Sequence, residues 1–368
     1  MSRKGVRKMR TRFLIAFFGL SIAFLMPAAA VWSGFLDLSG AEAFPSLPES
    51  ISAFPDEQNA SGEGAVSGEP ALSGTESSSG AAGEEAGTEG IVFRVLREDT
   101  GDILELSALD YVRGSLAAEM PASMEKDALI AQGIASYTFA RYMAMTYYWR
   151  EYDLAADPEN RSMYLTEAQT KEIYGDAFPE SWAKLTEAAE TAVQYELLYN
   201  GEPAMAAYHA ISAGKTESAL NCWGSEVPYL VSVDSSSDKE VADYRTTVTV
   251  SKADALRMLN DAGAGLTGLY PDQWFEGGRY SDAGYLLEIT IGKADLTGAA
   301  LRTMFDLRSA AFTVDYADNA FTFTVRGYGH GVGLSQYGAQ AMAKAGSGFE
   351  EILEHYFPGT ELVKAEDE

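Results

Sequence analysis

The sequence predicts an α+β fold, because helical and extended segments intermix from residue 91 to residue 364 and hairpins outnumber any β-α-β pattern. Three stretches carry that reading. Asn200-Gly201, set between the apolar segments of Tyr195 to Ile211, is a strong short-range hairpin signal, since both residues tolerate positive φ. Ile91 to Glu105 (IVFRVLREDTGDILE) reads as two strands around the polar turn Asp99-Thr100-Gly101-Asp102. Leu109 to Tyr142 is rich in Ala, Leu, Met and Gln and is broken only at Met120-Pro121, which predicts two helices with an extended Met120 between them.

The predicted domain is preceded by two segments of different character. Residues 1–38 carry Arg3, Lys4, Arg7, Lys8, Arg10 and Arg12, then the uncharged run Phe13 to Val31. That run is long enough to span a bilayer, and its basic flank predicts a cytoplasmic N-terminus, with the rest exported. A cleaved signal peptide, with Pro27-Ala28-Ala29-Ala30 at the cleavage site, is the competing reading. Residues 39–90 are rich in Ser, Gly, Ala and Glu and poor in large apolar groups, as expected of a disordered acidic linker. Residues 91–364 then form a single mixed domain of hairpins and packed helices.

Within that domain, Ser123 is the expected N-cap of the second helix, with Glu125 and Asp127 in its first turn. Tyr147 to Met163 reads as a surface loop or helix extension. Thr166 caps a helix through Tyr174, and Pro179 opens another to about Val193. The hairpin at Asn200-Gly201 is expected to deliver AAYHAISAGKTES on its second strand. Strands follow at Tyr244 to Val250 and Tyr285 to Ile291, with helices capped by Ser251 and Thr297. A hairpin over Phe312 to Val325 turns at Ala317-Asp318-Asn319. The glycine-punctuated GYGHGVGLSQYGAQAMA runs into a helix at about Ser335, and its glycines permit positive φ. His355 and Phe357-Pro358-Gly359-Thr360 read as a helix end and turn.

A formal charge of −27 excludes a nucleic-acid partner, because phosphates repel an acidic surface and no basic run follows the N-terminus. One cysteine, Cys222, cannot form an internal disulfide, and His209, His330 and His355 are too far apart in sequence to make a local zinc signature. No metal or cofactor is implied. Glu119 stands out. It ends the first helix, where unpaired carbonyls disfavour negative charge, among Ala117, Ala118 and Met120. An acid so placed holds its proton tightly, as a general acid must.

LAAEMPAS, followed by LIAQGIASYTFA, resembles the stage II sporulation protein D family, which includes the amidase-enhancer proteins. Ala206 to Asp238 and Gly327 to Leu362 resemble it in the same order, so the likeness spans about Ile91 to Val363. It implies a membrane-anchored peptidoglycan lytic transglycosylase that cleaves denuded glycan strands during engulfment in sporulation, beside a membrane-bound cell-wall amidase. The alternative is a non-catalytic glycan-binding activator of that amidase. The resemblance makes Glu119, in the A-E-M-P motif, the catalytic acid/base. His209, Ser212, Lys215 and Thr216 of the second block, and His330, Gln336 and Tyr337 of the third, are the candidate substrate-binding residues. Each has a structural reading as well: a core histidine for His209, turn-shaping for Ser212 and Thr216, turn packing for His330, helix start for Gln336 and core aromatic for Tyr337. Family members commonly carry an arginine where this chain has Tyr137, and Lys215 and Arg141 are the cations expected to replace it.

Overall fold

A computed structural model describes residues 90–364, which belong to one compact unit. The expected membrane anchor and acidic linker lie outside the described residues. Among the described residues no helix is long and apolar enough to cross a membrane.

The fold is α+β, with packed helices and small sheets. Strands β1 (Val92–Arg97) and β2 (Ile103–Ser107) form the expected antiparallel hairpin, with Gly101 at φ +76° in its turn. Helix α1 (Ala108–Glu119) ends where Pro121 forces Met120 into an extended conformation. Helix α2 (Lys126–Thr146) has buried residues on every side between Ala128 and Ala140, so it runs through the middle of the larger core. Its N-cap is Glu125 rather than Ser123. The Glu125 backbone N–H donates to Gln340 Oε1, so a distant side chain supplies the partner that a local serine was expected to supply.

The segment after α2 contains a strand, β3 (Leu154–Ala156), parallel to β1. Asp153 anchors it, its carboxylate accepting from the Arg94 backbone N–H and guanidinium. Helices α3 (Glu167–Tyr174) and α4 (Phe178–Ala192) begin as expected, at a Thr166 capping box and with Pro179 in the first turn. A Cβ on Gly133 would stand 2.7 Å from the Ala192 methyl, so glycine lets α2 and α4 approach closely.

Strands β4 (Tyr195–Tyr199) and β5 (Glu202–Pro203) turn at Asn200-Gly201, but the hairpin does not continue to Ile211. Tight turns from Ala206 to Ala204 and from Ala207 to Met205 lift the chain out of the ladder. Strand β6 (Tyr208–His209) then pairs elsewhere. A short helix, α5 (Ala219–Trp223), follows.

A second core gathers around β7 (Arg245–Ser251), α6 (Lys252–Asp261), β8 (Arg279–Tyr280), β9 (Leu286–Ile291), β10 (Ala294–Thr297), α7 (Gly298–Met304), β11 (Phe312–Ala317) and β12 (Ala320–Arg326). Phe305, Phe312, Phe321 and Phe323 fill it. Strand order is β11-β12-β7 in one sheet and β10-β9-β8 in the other. Ser251 and Thr297 cap α6 and α7, and Asp318 and Asn319 both take positive φ in the β11–β12 turn, as the sequence indicates.

The chain then returns to the larger core. Strand β13 (Leu334–Ser335) pairs in parallel with β6, and α8 (Gln336–Lys344), capped by Ser335, follows at once. Helix α9 (Phe349–Tyr356), the Phe357–Thr360 turn and β14 (Glu361–Lys364), antiparallel to β4, close the fold. The β6–β13 pair thus joins the second and third sequence blocks.

Candidate functional site

Glu119 is fully buried at the C-terminal end of α1. The Met163 backbone N–H donates to Oε1 at 2.9 Å, and Gln336 Nε2, from the first turn of α8, donates to Oε2 at 3.3 Å. Burial pushes the carboxyl up to about 7, even though these two donors, the Tyr208 hydroxyl and the Arg161 guanidinium all favour the charged form. Serines and a glutamine continue the polar interior: Gln132 Nε2 and Ser115 Oγ both donate to Ser136 Oγ. The result is a buried acid that exchanges its proton near neutral pH.

The turn that supplies Met163 is held in an unusual conformation. Asp157 and Ser162 exchange backbone hydrogen bonds, and the Asp157 carboxylate accepts from the N–H groups of Glu159 and Asn160. Arg161 and Met163 sit at φ +53° and +68°, where non-glycine residues are strained. Neither candidate to stand in for the arginine that Tyr137 replaces acts on Glu119: Arg141 pairs with Glu196 at 3.5 Å, and Lys215 is exposed beside Asp234. Tyr137 itself packs edge-on against Phe93. The cation acting on Glu119 comes instead from the turn before α3. Arg161→Ala is therefore expected to raise the pH at which Glu119 ionises. An NMR titration of the glutamate carboxyl carbons checks this, and an unmoved midpoint contradicts it.

Tyr208 and His209 are neighbours on β6 and point to opposite faces. Tyr208 serves Glu119, whereas the His209 Nδ1 lies 3.1 Å from the Val332 carbonyl. His330 packs beside His209 with ring centroids 5.8 Å apart. Gln336 is thus the third-block residue bonded to Glu119, while the two histidines form a separate cluster across the strand.

Ser212, Thr216 and Ser335 are fully buried and tie the loops together. Asp238 Oδ2 accepts from the Ser212 N–H and from the hydroxyls of Ser235 and Ser335 at 2.8–3.0 Å. Burial raises its carboxyl above the usual range, against those donors. Thr216 Oγ1 accepts from the Val233 N–H and donates to the Val231 carbonyl. Tyr337 is half-buried against the Ile211–Tyr244 cluster, and its N–H donates to the Ala210 carbonyl. Asp238→Ala leaves the Ser212 N–H without its acceptor and is expected to cost about 2 kcal/mol, measurable by urea denaturation. Asp238→Asn, which keeps one acceptor oxygen, is expected to cost less. Equal stability of the alanine variant and the parent would contradict this.

A family model described as Stage II sporulation protein covers residues 97–199, the segment holding Glu119 and the Arg161–Met163 turn. The chain is 32% identical over 266 residues to Stage II sporulation protein D of Bacillus subtilis, covering 70% of this chain and 74% of that protein. Its counterpart from Bacillus amyloliquefaciens is 31% identical over 275 residues, covering 74% of this chain and 78% of that one. The Amidase enhancer of Bacillus subtilis is 26% identical over 311 residues, covering 68% of this chain and 40% of the enhancer. The chain thus falls in a class of sporulation-associated proteins. The chain is a member of the stage II sporulation protein D family.

Proposed function

We propose that the protein is a lytic transglycosylase of peptidoglycan, held at the cell membrane by its N-terminal segment and working outside it during sporulation. The observation that carries this reading is Glu119, which lies in an A-E-M-P motif and whose carboxyl is pushed up to about 7 by burial. A hydrolase needs a second carboxylate to attack the sugar or activate water. Lytic cleavage needs one acid/base. Protonated Glu119 gives its proton to the glycosidic oxygen as the bond to C1 breaks. The resulting carboxylate then takes the proton of the muramic C6 hydroxyl as that oxygen closes on C1. Gln336 and the Met163 N–H orient the carboxyl, and Arg161 stabilises its charged form between the two steps. Because Glu119 is fully covered, a glycan reaches it only if a segment packed over it moves.

A second reading, a glycan-binding activator of a cell-wall amidase, is favoured by the likeness to the Amidase enhancer and by that same complete burial. One experiment separates them. The full chain and its Glu119→Gln variant are each added to denuded strands and, separately, to an amidase acting on intact peptidoglycan. Soluble fragments from denuded strands, released by the parent alone, support the transglycosylase. Amidase stimulation by both, with no fragments from either, supports the activator.

A further inference from the structure

Beyond Glu119, on the other face of β6, a cavity of about 110 Å³ opens between α5 and the β9–α7 region. Its rim includes the exposed residues Asn221, Thr297 and Ala299, so it is open to the surface. Two of its lining side chains, Glu217 and His330, are more than nine-tenths buried, and each has a polar atom with no hydrogen-bond partner in the protein. Glu217 Oε1 is occupied, accepting from the Ser218 N–H at 2.7 Å and Asn221 Nδ2 at 2.9 Å, but Oε2 is not. His330 Nε2 is the other orphan.

The proton on His330 has a fixed place. The Val332 N–H donates to His330 Nδ1 at 3.0 Å, so that nitrogen is an acceptor. Burial, the neighbouring His209 and Arg302 hold the ring well below the ordinary histidine range, with the backbone of Tyr208 opposing them weakly, so it is neutral at pH 7. A neutral imidazole with an accepting Nδ1 carries its proton on Nε2. The cavity therefore presents the His330 Nε2–H donor and the Glu217 Oε2 acceptor, with Arg302 also on its lining, beside a wall formed by Leu286 and Ala310. Glu217 opposes an anion and Arg302 a cation, so a neutral group is favoured. A single hydroxyl satisfies both groups but fills only ~30 Å³ of the space and leaves the apolar wall uncovered. A secondary amide with a terminal methyl meets every requirement, and its few heavy atoms match the volume.

We propose that this cavity receives the acetamido group of an N-acetylated amino sugar, with His330 Nε2–H donating to its carbonyl, Glu217 Oε2 accepting its N–H, and its methyl against Leu286 and Ala310. The proposal rests on the glycan reading above and adds a specificity site to it. The cavity is too small for a peptide to thread through, so a capped end group is the fitting form of amide. Such a site disfavours a de-N-acetylated sugar, because without the carbonyl the buried His330 N–H is left unpaired, and without the methyl the apolar wall stays wet.

The chain has three histidines, so ring-¹⁵N labelling of the full chain gives three imidazole systems to follow by NMR. The N-acetylglucosamine trimer is expected to shift the His330 Nε2 resonance with saturation while leaving His355, which bonds the Asp234 carbonyl, unmoved. The glucosamine trimer, the glucose trimer and an N-acetylated dipeptide are each expected to bind at least tenfold more weakly. Ala310→Leu, which fills the cavity without touching its polar groups, is expected to weaken the acetylated trimer at least tenfold, about 1.4 kcal/mol. An unmoved His330, or equal shifts from the de-N-acetylated trimer, overturns the proposal; tighter binding of the dipeptide does so in favour of a peptide ligand. Running the titration on Glu119→Gln as well keeps the two readings apart. A His330 shift without strand cleavage by the parent leaves the acetamido site standing and removes the transglycosylase. Cleavage with no His330 shift does the reverse.

Discussion

Glu119→Gln is expected to lower the rate of strand cleavage by about 10²–10⁴-fold, the usual contribution of a general acid/base, and at the same time to stabilise the fold at alkaline pH. The two effects share one cause. The folded protein holds the Glu119 proton up to about pH 7, whereas an unfolded chain releases it near 4.5. Between those values the folded state binds more protons than the unfolded one, so this residue's contribution to stability falls as pH rises from about 4.5 to about 7. It is constant outside that window. The loss reaches about 3 kcal/mol at pH 8, because an uncompensated carboxylate is then held in the core. Glutamine keeps an oxygen for the Met163 N–H and never ionises. Denaturant unfolding of both proteins at pH 4 and pH 8 measures the effect: near-equal stability at pH 4 and a clear advantage for the variant at pH 8. An equal difference at both pH values would mean that Glu119 does not retain its proton in the fold.

Gly333→Ala is expected to cost roughly 2–5 kcal/mol, combining the left-handed backbone penalty with overpacking. Gly333 has φ +74°, and a Cβ there would overlap the Ala207 carbonyl, which already accepts from the Leu334 N–H. The residue sits where β13 meets β6, the pair that carries Tyr208, His209 and Ser335 and leads into Gln336. A methyl must therefore separate the two strands or unseat the carbonyl. Gly346, also at positive φ but with open space around it, serves as a control, where alanine is expected to cost only the backbone penalty. Similar urea midpoints for the two variants would contradict the packing argument.

Much of this was legible in the sequence wherever the cause is local. Pro121 sets the end of α1, Thr166, Ser251, Thr297 and Ser335 cap the helices they precede, and Gly327, Gly329, Gly331 and Gly333 take positive φ. The isolation of Glu119 among apolar neighbours correctly anticipated a carboxyl that holds its proton. What escaped depends on residues distant in sequence. Gln340 displaced the local cap at Ser123, and β3 formed because β1 offered an edge that Tyr147–Met163 gives no sign of needing. Arg161 was missed for a related reason. Asp157-Pro158-Glu159-Asn160 announces a turn, yet nothing local announces arginine at positive φ. The division of Tyr208 from His209 follows from strand alternation, but only once β6 is known to leave the β4–β5 hairpin and pair with β13.

The most direct test of the account is the chemistry of the ends that the full chain leaves on denuded glycan strands, read by mass spectrometry at neutral pH. Fragments terminating in 1,6-anhydro-N-acetylmuramic acid are expected, absent when Glu119→Gln replaces the parent. Fragments with free reducing ends, heavier by one water, would contradict it, because water rather than the C6 hydroxyl would then be the nucleophile and a second carboxylate would have to activate it.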